Sequence, residues 1–269
     1  MIVFPNAKIN MGLSVLRKRT DGYHDIETVG YPVPLHDVLE FLPAEEFTLS
    51  VYGLKIPGKA EDNLVVRAWR LLRDHHQIPP VGVKLLKAIP PGSGLGGGSS
   101  NAVFFLKAMN EFFGLSLDEQ TLARYALSLG SDCPFFVRNT PAVARGRGEV
   151  LKKIIPVLTG KFIIIVYPGI FVNTSEAYLS AFPLQPGTSP EKAVELPVTQ
   201  WRDQLHNDFE SSVFEKHPLL KKIKDTLYDE GAAYASLTGS GSAVYAIFDK
   251  PINLKHKFPD FLVWSKILK

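Results

Sequence analysis

The chain has 269 residues, of which 45% are hydrophobic and 21% are charged, and its formal net charge is +3. This composition predicts a globular protein with one large domain or two packed ones, and excludes an electrostatic nucleic-acid footprint because no long basic run is present. The single cysteine, Cys133, excludes an intrachain disulfide and a cysteine-based metal cluster.

The sequence predicts neither export nor membrane insertion. Lys8 and Asn10 interrupt the N-terminal stretch where a signal peptide needs a continuous apolar core. The longest strongly apolar run, 162–167, is far too short to span a bilayer. We therefore expect a cytoplasmic protein without a membrane partner, and the oligomeric state stays open.

Strands dominate the start of the chain. Apolar runs and alternation predict strands over 2–16 (broken at 5–8), 26–35, 38–42 and 47–52. An early run of strands favours an antiparallel or mixed sheet over strict βαβ alternation. A helical period follows over 64–74, with Asp62 as the predicted N-cap.

The most informative stretch is 92–100, which reads Gly-Ser-Gly-Leu-Gly-Gly-Gly-Ser-Ser. It lies between a predicted strand over 81–89 and a predicted helix over 101–113, which Gly114 ends. A glycine loop that leads into a helix N-terminus presents several backbone N–H groups to an anion. We therefore predict that 92–100 binds phosphates.

The remainder of the chain predicts a mixture of helices and strands. Helices are expected from 117 to 129 (capped by Ser116), near Thr174, and over 208–214 and 218–230, with a surface loop at 184–200. Strands are expected over 140–145, 161–167, 233–237, 243–248 and near 261–264. This order favours a split βαβ or ferredoxin-like half at the C-terminus.

Three families of glycine loop compete for 92–100. A Walker A loop needs lysine where Gly98 stands. The dinucleotide fingerprint is met literally by Gly92, Gly94 and Gly97, but it requires a second strand where a helix is predicted. The protein-kinase loop lies between two strands and belongs with H-R-D and D-F-G motifs, neither of which occurs.

The stretch from Pro90 to Ala102 instead resembles the P-x-x-x-G-L-G-S-S motif of the GHMP kinase family. Further segments resemble that family in the expected order, at 5–13, 19–28, 131–136, 144–149 and 238–242. The most specific is 19–28, which resembles R-x-D-G-Y-H-x-I-x-T. The resemblance implies an α+β, two-domain GHMP kinase fold, with a ribosomal-protein-S5-like domain over 1–155 and a ferredoxin-like domain over 156–269.

The resemblance also implies a reaction. Within the family, the motifs of this sequence most resemble those of one branch. Enzymes of that branch use ATP and Mg²⁺ to phosphorylate the 2-hydroxyl of a cytidine-diphosphate-linked methylerythritol, in isoprenoid precursor synthesis. Asp132 is then the general base, and Lys8 lies beside it. Lys8 would be costly in an apolar strand unless paired, and Asn10, two positions on, shares its face and is placed at the substrate.

The resemblance further implies a larger set of residues that bind the nucleotide. Its members are Asn63, Lys87, Pro90, Gly92, Ser93, Gly94, Leu95, Gly96, Gly97, Gly98, Ser99, Ser100 and Asn101. A helix-capping role is equally compatible with Asn101 and with either serine. One of the serines is a candidate Mg²⁺ ligand, but the sequence leaves the metal ligands undetermined.

The resemblance assigns four residues to the cytidine. Tyr23 would stack on cytosine and His24 would bond its edge, with Thr174 and Tyr178 contributing further contacts. Two other functions stay open. One is a GHMP kinase that acts on homoserine or a mevalonate derivative, and the other is a catalytically inactive nucleotide-binding sensor.

Overall fold

The computed structural model describes residues 1–155, 157–173, 177–178 and 188–269. These residues pack into two compact units, each made of discontinuous stretches. Unit 1 comprises Met1–Ala7, Leu35–Pro91 and Gly96–Thr140, and unit 2 comprises Lys8–Pro34, Gly92–Leu95 and Pro141–Lys269. The domain limits of 1–155 and 156–269 stay a prediction.

The strands of the described residues form three sheets of four strands each. In chain order they are β1 Ile2–Val3, β2 Asn6–Lys18, β3 His24–His36, β4 Val38–Pro43, β5 Thr48–Gly53, β6 Val81–Lys87, β7 Ala142–Gly146, β8 Val150–Lys153, β9 Phe162–Tyr167, β10 Tyr234–Leu237, β11 Val244–Phe248 and β12 Leu262–Ile267. The sheet of unit 1 has the order β1-β4-β6-β5, in which β4 is antiparallel and β5 parallel to β6. A second sheet has the order β2-β3-β7-β8.

The helices of the described residues fall into two groups along the chain. The first group is α1 Leu64–His76, α2 Gly97–Phe112, α3 Glu119–Leu129 and α4 Cys133–Arg138, and the second is α5 Pro190–Ala193, α6 Trp201–Gln204, α7 Glu210–Lys216 and α8 Pro218–Asp229. Short 3₁₀ turns occupy Ala60–Asp62, Val198–Gln200 and Lys255–Lys257. None of these helices combines the length and the apolar character that crossing a bilayer requires.

Two predicted helix caps are wrong by one or two residues. Asn63 replaces Asp62 as the N-cap of α1, because the Asn63 side chain accepts a 2.9 Å hydrogen bond from the Val65 N–H. Asp118 replaces Ser116 as the N-cap of α3, and its carboxylate accepts the Thr121 N–H at 2.8 Å. Both caps follow the physical preference for Asn and Asp, whose side chains reach the free N–H groups of the first turn.

The glycine stretch contributes more to helix than the sequence predicts. Helix α2 begins at Gly97 rather than at 101, so the last four residues of 92–100 form its first turn. Gly96 is the N-cap and has φ 70°, in the left-handed region that glycine adopts readily. Gly114, with φ 61°, follows the C-cap of α2 as predicted.

The C-terminal sheet has the order β10-β11-β9-β12, and all of its pairs are antiparallel. Numbered 1 to 4 along the chain, these strands have the order 2-3-1-4, which is the strand order of a ferredoxin-like sheet. Helices α7 and α8 precede β10, and buried side chains such as Leu220 and Leu227 of α8 share one core with Ile164 and Ala246 of the sheet. This arrangement matches the ferredoxin-like half that the sequence predicts.

The predicted surface loop at 184–200 is wrong for its described part. From residue 190 onward the chain forms α5 and a 3₁₀ turn, and both elements bury apolar side chains, including Ala193 and Val198. The buried apolar residues alternate with polar ones. The Pro- and Thr-rich composition therefore does not reveal that one face of this segment is buried. The predicted helix near Thr174 and residues 184–187 lie outside the described residues.

Candidate active site

Within unit 2, the first part of the glycine stretch packs against the C-terminal glycine turn 238–242. The Ala243 N–H donates to the Ser93 carbonyl at 3.0 Å, and the Thr238 hydroxyl donates to the Gly94 carbonyl at 3.2 Å. Gly94 has φ 79°, and a Cβ there would collide with the Thr238 carbonyl oxygen. Glycine is therefore required at 94 both by the backbone conformation and by the close approach of another backbone.

Strand β2 joins the same cluster. The Lys8 N–H donates to the Leu95 carbonyl at 2.9 Å, and the Asn10 N–H donates to the Thr238 hydroxyl at 3.0 Å. Two motifs of the sequence, the N-terminal strand and the turn after β10, thus hold residues 93–95 in place. The sequence indicates both motifs but does not predict that they meet.

The side chains of Lys8 and Asn10 share one face of β2, as the alternation predicts. Each residue is only 4% exposed. The Lys8 ammonium donates to the Asn10 side-chain oxygen, and the Asn10 amide nitrogen donates to the Thr28 hydroxyl at 3.1 Å. A buried ammonium requires such polar contacts, because desolvation otherwise disfavours the charge.

Within unit 1, Asp132 lies at the start of a short helix that the sequence pattern does not predict. It is the N-cap of α4 and is exposed, whereas the following residue, Cys133, is fully buried. Burial raises the pKa of the Cys133 thiol to about 12, and a side-chain hydrogen bond from Ser99 opposes that shift. Ser99 lies in the first turn of α2, so the predicted base lies close to the helix start that is predicted to bind phosphates.

The two serines at the start of α2 have different surroundings. Ser99 bonds Cys133, whereas the Ser100 hydroxyl is fully buried and has no hydrogen-bond partner among the residues that the structure describes. A buried hydroxyl without a hydrogen-bond partner is energetically costly, so Ser100 is the serine of this pair whose polar atom is left unsatisfied by the described residues. The sequence gives no means of distinguishing these two serines.

Other predicted nucleotide residues have partners within unit 1. Asn63 caps α1. Lys87 and Asn101 are both buried, and both donate to the carboxylate of Asp37. Pro90 is buried beyond the end of β6, whereas Gly98 is exposed on α2. Their roles toward a nucleotide stay predictions.

The residues predicted to bind a base lie in unit 2. The rings of His24 and Tyr178 stack, with centroids 4.9 Å apart and planes 15° from parallel. Tyr23 is 49% exposed, and the Arg147 guanidinium lies 3.5 Å from its ring centroid. The structure thus brings His24 and Tyr178 together, while Thr174 lies outside the described residues.

The turn that carries Tyr23 is held by ion pairs. Asp21 accepts the Tyr23 N–H at 3.1 Å and pairs with Arg19, and Arg19 also pairs with Asp25 at 2.8 Å. Hydrogen bonds from Arg19 hold the pKa values of both carboxyls below the ordinary range. The Asp-Gly turn is therefore shaped by neighbouring arginines, which present Tyr23 outward.

Sequence comparison identifies the family. The chain matches the GHMP kinases N terminal domain over residues 63–140 and the GHMP kinases C terminal domain over residues 197–262. It is 45% identical to a 4-diphosphocytidyl-2-C-methyl-D-erythritol kinase of Parabacteroides distasonis, over 98% of both chains. The chain belongs to the GHMP kinase family. A second relative with the same enzyme name, from Bacteroides thetaiotaomicron, is 50% identical over 93% of this chain and 92% of its own.

Solved structures of GHMP kinases share the fold. A crystal structure of 4-(cytidine 5'-diphospho)-2C-methyl-D-erythritol kinase superimposes with a TM-score of 0.83 at 30% identity, over 98% of both chains. A homoserine kinase from Cytophaga hutchinsonii superimposes with a TM-score of 0.68 at 18% identity, over 98% of this chain and 95% of its own, which shows the fold alone. The predicted α+β, two-domain GHMP kinase fold is confirmed. GHMP kinases use ATP as phosphate donor and act on small molecules.

Proposed function

We propose that this GHMP kinase phosphorylates the 2-hydroxyl of 4-diphosphocytidyl-2-C-methyl-D-erythritol with ATP, a step in the methylerythritol phosphate route to isoprenoid precursors. The observation that carries the proposal is the 45% identity to a relative of that name over 98% of both chains. The His24–Tyr178 ring pair and the exposed Tyr23 support it, because stacking and edge bonding are how proteins bind an unpaired base.

The chemical step in this proposal uses Asp132 as general base. Its carboxylate accepts the proton of the substrate 2-hydroxyl while that oxygen forms a bond to the γ-phosphorus of ATP. The bond from the γ-phosphorus to the bridging oxygen breaks, and ADP leaves. Phosphoryl transfer depends mainly on positioning and charge stabilisation, which fits an exposed base beside the N-terminus of α2.

Two further groups of residues have roles in the proposed mechanism. Lys8 and Asn10 form a polar pair that is proposed to orient the substrate hydroxyl. The N-terminus of α2 is proposed to hold the phosphates through its free N–H groups, since a helix N-terminus carries partial positive charge.

A magnesium ion is part of the proposal. Mg²⁺ is commonly bound through substrate phosphates and a few protein oxygens, so we propose that the ion binds together with the ATP phosphates. Ser100 is the proposed protein ligand of this ion, because its buried hydroxyl oxygen has no hydrogen-bond partner among the described residues. The ion would neutralise phosphate charge when bound.

The proposal also covers partners and location. A cytidine-diphosphate-linked small molecule is the substrate, no nucleic acid or membrane partner is involved, and a cytoplasmic location is expected because ATP is available there.

The experiment uses the purified protein with ATP, Mg²⁺ and three alcohols, namely the cytidylyl substrate, homoserine and mevalonate, and it measures ADP release. Turnover with the cytidylyl compound alone supports the proposal. Turnover with homoserine or mevalonate alone overturns the proposed identity of the substrate. Nucleotide binding without turnover on any alcohol indicates an inactive sensor.

The Asp132→Asn variant tests the base. A positioned base contributes roughly 10²–10⁴-fold, so turnover should fall by that factor while ADP affinity stays near the wild-type value. Asp118→Asn is the matched control, because Asp118 is also an exposed helix N-cap of unit 1. A fully active Asp132→Asn variant removes Asp132 from the mechanism.

A further inference from the structure

Asp37 is a fully buried carboxylate that the reaction described above does not use. It lies between β3 and β4 and is 0% exposed. One carboxylate oxygen accepts the backbone N–H groups of Ala88 at 2.7 Å and Ile89 at 2.8 Å. The other accepts the Lys87 ammonium and the Asn101 side-chain nitrogen, the latter at 2.8 Å. Four donors therefore converge on one side chain.

These donors come from both sides of the glycine stretch. Lys87 ends β6 and the next two residues lead toward residue 92, whereas Asn101 lies in the second turn of α2, after the stretch. Asp37 thus connects the segment before the stretch to the helix after it. Charge-assisted hydrogen bonds are shorter and stronger than neutral ones, so this connection restrains both segments.

The packing around these bonds leaves little room. A Cβ on Gly97, the first residue of α2, would lie 2.7 Å from the Lys87 nitrogen and 2.8 Å from Ile89 Cγ2. The start of α2 therefore rests directly on the Lys87 ammonium, whose side chain is 2% exposed. Burial lowers the pKa of Lys87, and the Asp37 charge opposes that shift. Without Asp37, the ammonium beneath the helix would lose the buried carboxylate that compensates its charge.

We propose that Asp37 is the positioning residue of the phosphate-binding loop, because it holds the end of β6 and the start of α2 so that the free N–H groups of residues 97–99 point at the ATP phosphates. The inference rests on the proposed function, because it requires ATP at this helix N-terminus. It also gives Asn101 the role of a tether from α2 to Asp37, since the N-cap is Gly96.

The first test compares Asp37→Asn with the wild type in steady-state kinetics. Asparagine keeps one oxygen for the two backbone N–H groups but turns an amide nitrogen toward two other donors and removes the charge that balances Lys87. We expect the KM for ATP to rise about tenfold or more, while the KM for the alcohol substrate stays within about twofold. An unspecific structural defect would change both constants.

Asp208→Asn is the matched control. Asp208 is another buried aspartate, and it accepts the Val15 backbone N–H at 2.7 Å in unit 2. Asparagine preserves that acceptor, so the KM for ATP should stay at the wild-type value. A similar rise in both variants, or no rise in Asp37→Asn, overturns the proposal.

A second variant covers the case in which Asp37→Asn fails to fold. Asn101→Ala keeps the Asp37–Lys87 pair and removes only the tether to α2. We expect ADP affinity, measured by titration calorimetry, to fall about threefold to tenfold, with faster amide hydrogen exchange at residues 97–100. Unchanged exchange at 97–100 overturns the proposal. Failure of the wild type itself to bind adenine nucleotide would instead overturn the proposed function.

Discussion

Replacement of Tyr178 by alanine probes the proposed cytosine-binding surface. The Tyr178 ring stacks on His24 at a centroid distance of 4.9 Å, and it contacts the Phe209 ring edge-on at 4.8 Å. Phe209 anchors the ring in the core of unit 2, so the stacking face is set by a buried neighbour. Alanine removes that face entirely, whereas phenylalanine keeps the ring and loses only the hydroxyl.

The size of the effect follows from stacking. Base–aromatic stacking contributes roughly 1–3 kcal/mol per base by alanine substitution. Since about 1.4 kcal/mol corresponds to a tenfold change, the KM for the cytidylyl substrate should rise by roughly 5- to 150-fold in Tyr178→Ala. Tyr178→Phe should stay within about threefold of the wild type, because stacking is retained. The KM for ATP should not change in either variant.

The assay varies one substrate at saturating concentrations of the other. Because Tyr178→Ala also loses packing against Phe209, its thermal midpoint is measured first and the kinetics are recorded well below it. A substrate KM within twofold of the wild type in Tyr178→Ala would refute the assignment. An equal rise in both KM values would refute it as well, because the loss of a contact to cytosine does not weaken the binding of ATP.

Three other predictions concern conformation, thiol chemistry and pH. Gly94→Ala should lower the thermal midpoint and ATP affinity, because left-handed backbone costs alanine roughly 1–2 kcal/mol and its Cβ meets the Thr238 carbonyl. Gly98→Ala should not lower the midpoint, because the nearest described atom to a helical Cβ there is a leucine carbon at 3.9 Å, which is an ordinary contact distance. The Cys133 thiol, with its pKa raised to about 12, should resist a thiol reagent at pH 8 in the native state and react once unfolded, and rapid native labelling would contradict this. The Asp25 pKa is lowered by two arginines, so its stabilising contribution is present above the ordinary pKa of about 3.9 and is lost as pH falls below it. Asp25→Asn should flatten the midpoint-versus-pH curve there, and an unchanged slope would contradict the assignment.

Local pattern was sufficient for the elements whose periodicity is strong. The alternation of β2 correctly placed Lys8 and Asn10 on one face, and the helical periods located α1 and α8 within a few residues. Helix α4 was missed because its six residues are too few for a period. A usable signal was present, since Asp132 followed closely by Pro134 is a typical helix start.

Asp37 could not be found in this way. In the sequence it is one polar residue at a turn between two predicted strands, where an exposed aspartate is the ordinary expectation. Its partners Lys87 and Asn101 lie 50 and 64 positions further along the chain. Only the folded chain shows that Asp37 is buried, and only the convergence of donors from both sides of the glycine stretch gives that burial a functional meaning.

The glycine spacing in 92–100 follows from contacts that Gly94 and Gly97 each make within their own unit. Gly94 is glycine because the Thr238 backbone occupies the space of a Cβ, and Gly97 is glycine because the Lys87 ammonium does. Neither requirement involves a ligand, yet both glycines belong to the literal match with the dinucleotide fingerprint. The same glycine spacing can therefore arise from packing of the loop against its own chain. For this reason the motif identifies a loop held close to other backbone, and the connection of that loop to a reaction depends on the roles proposed for Asp132 and the Tyr23 turn.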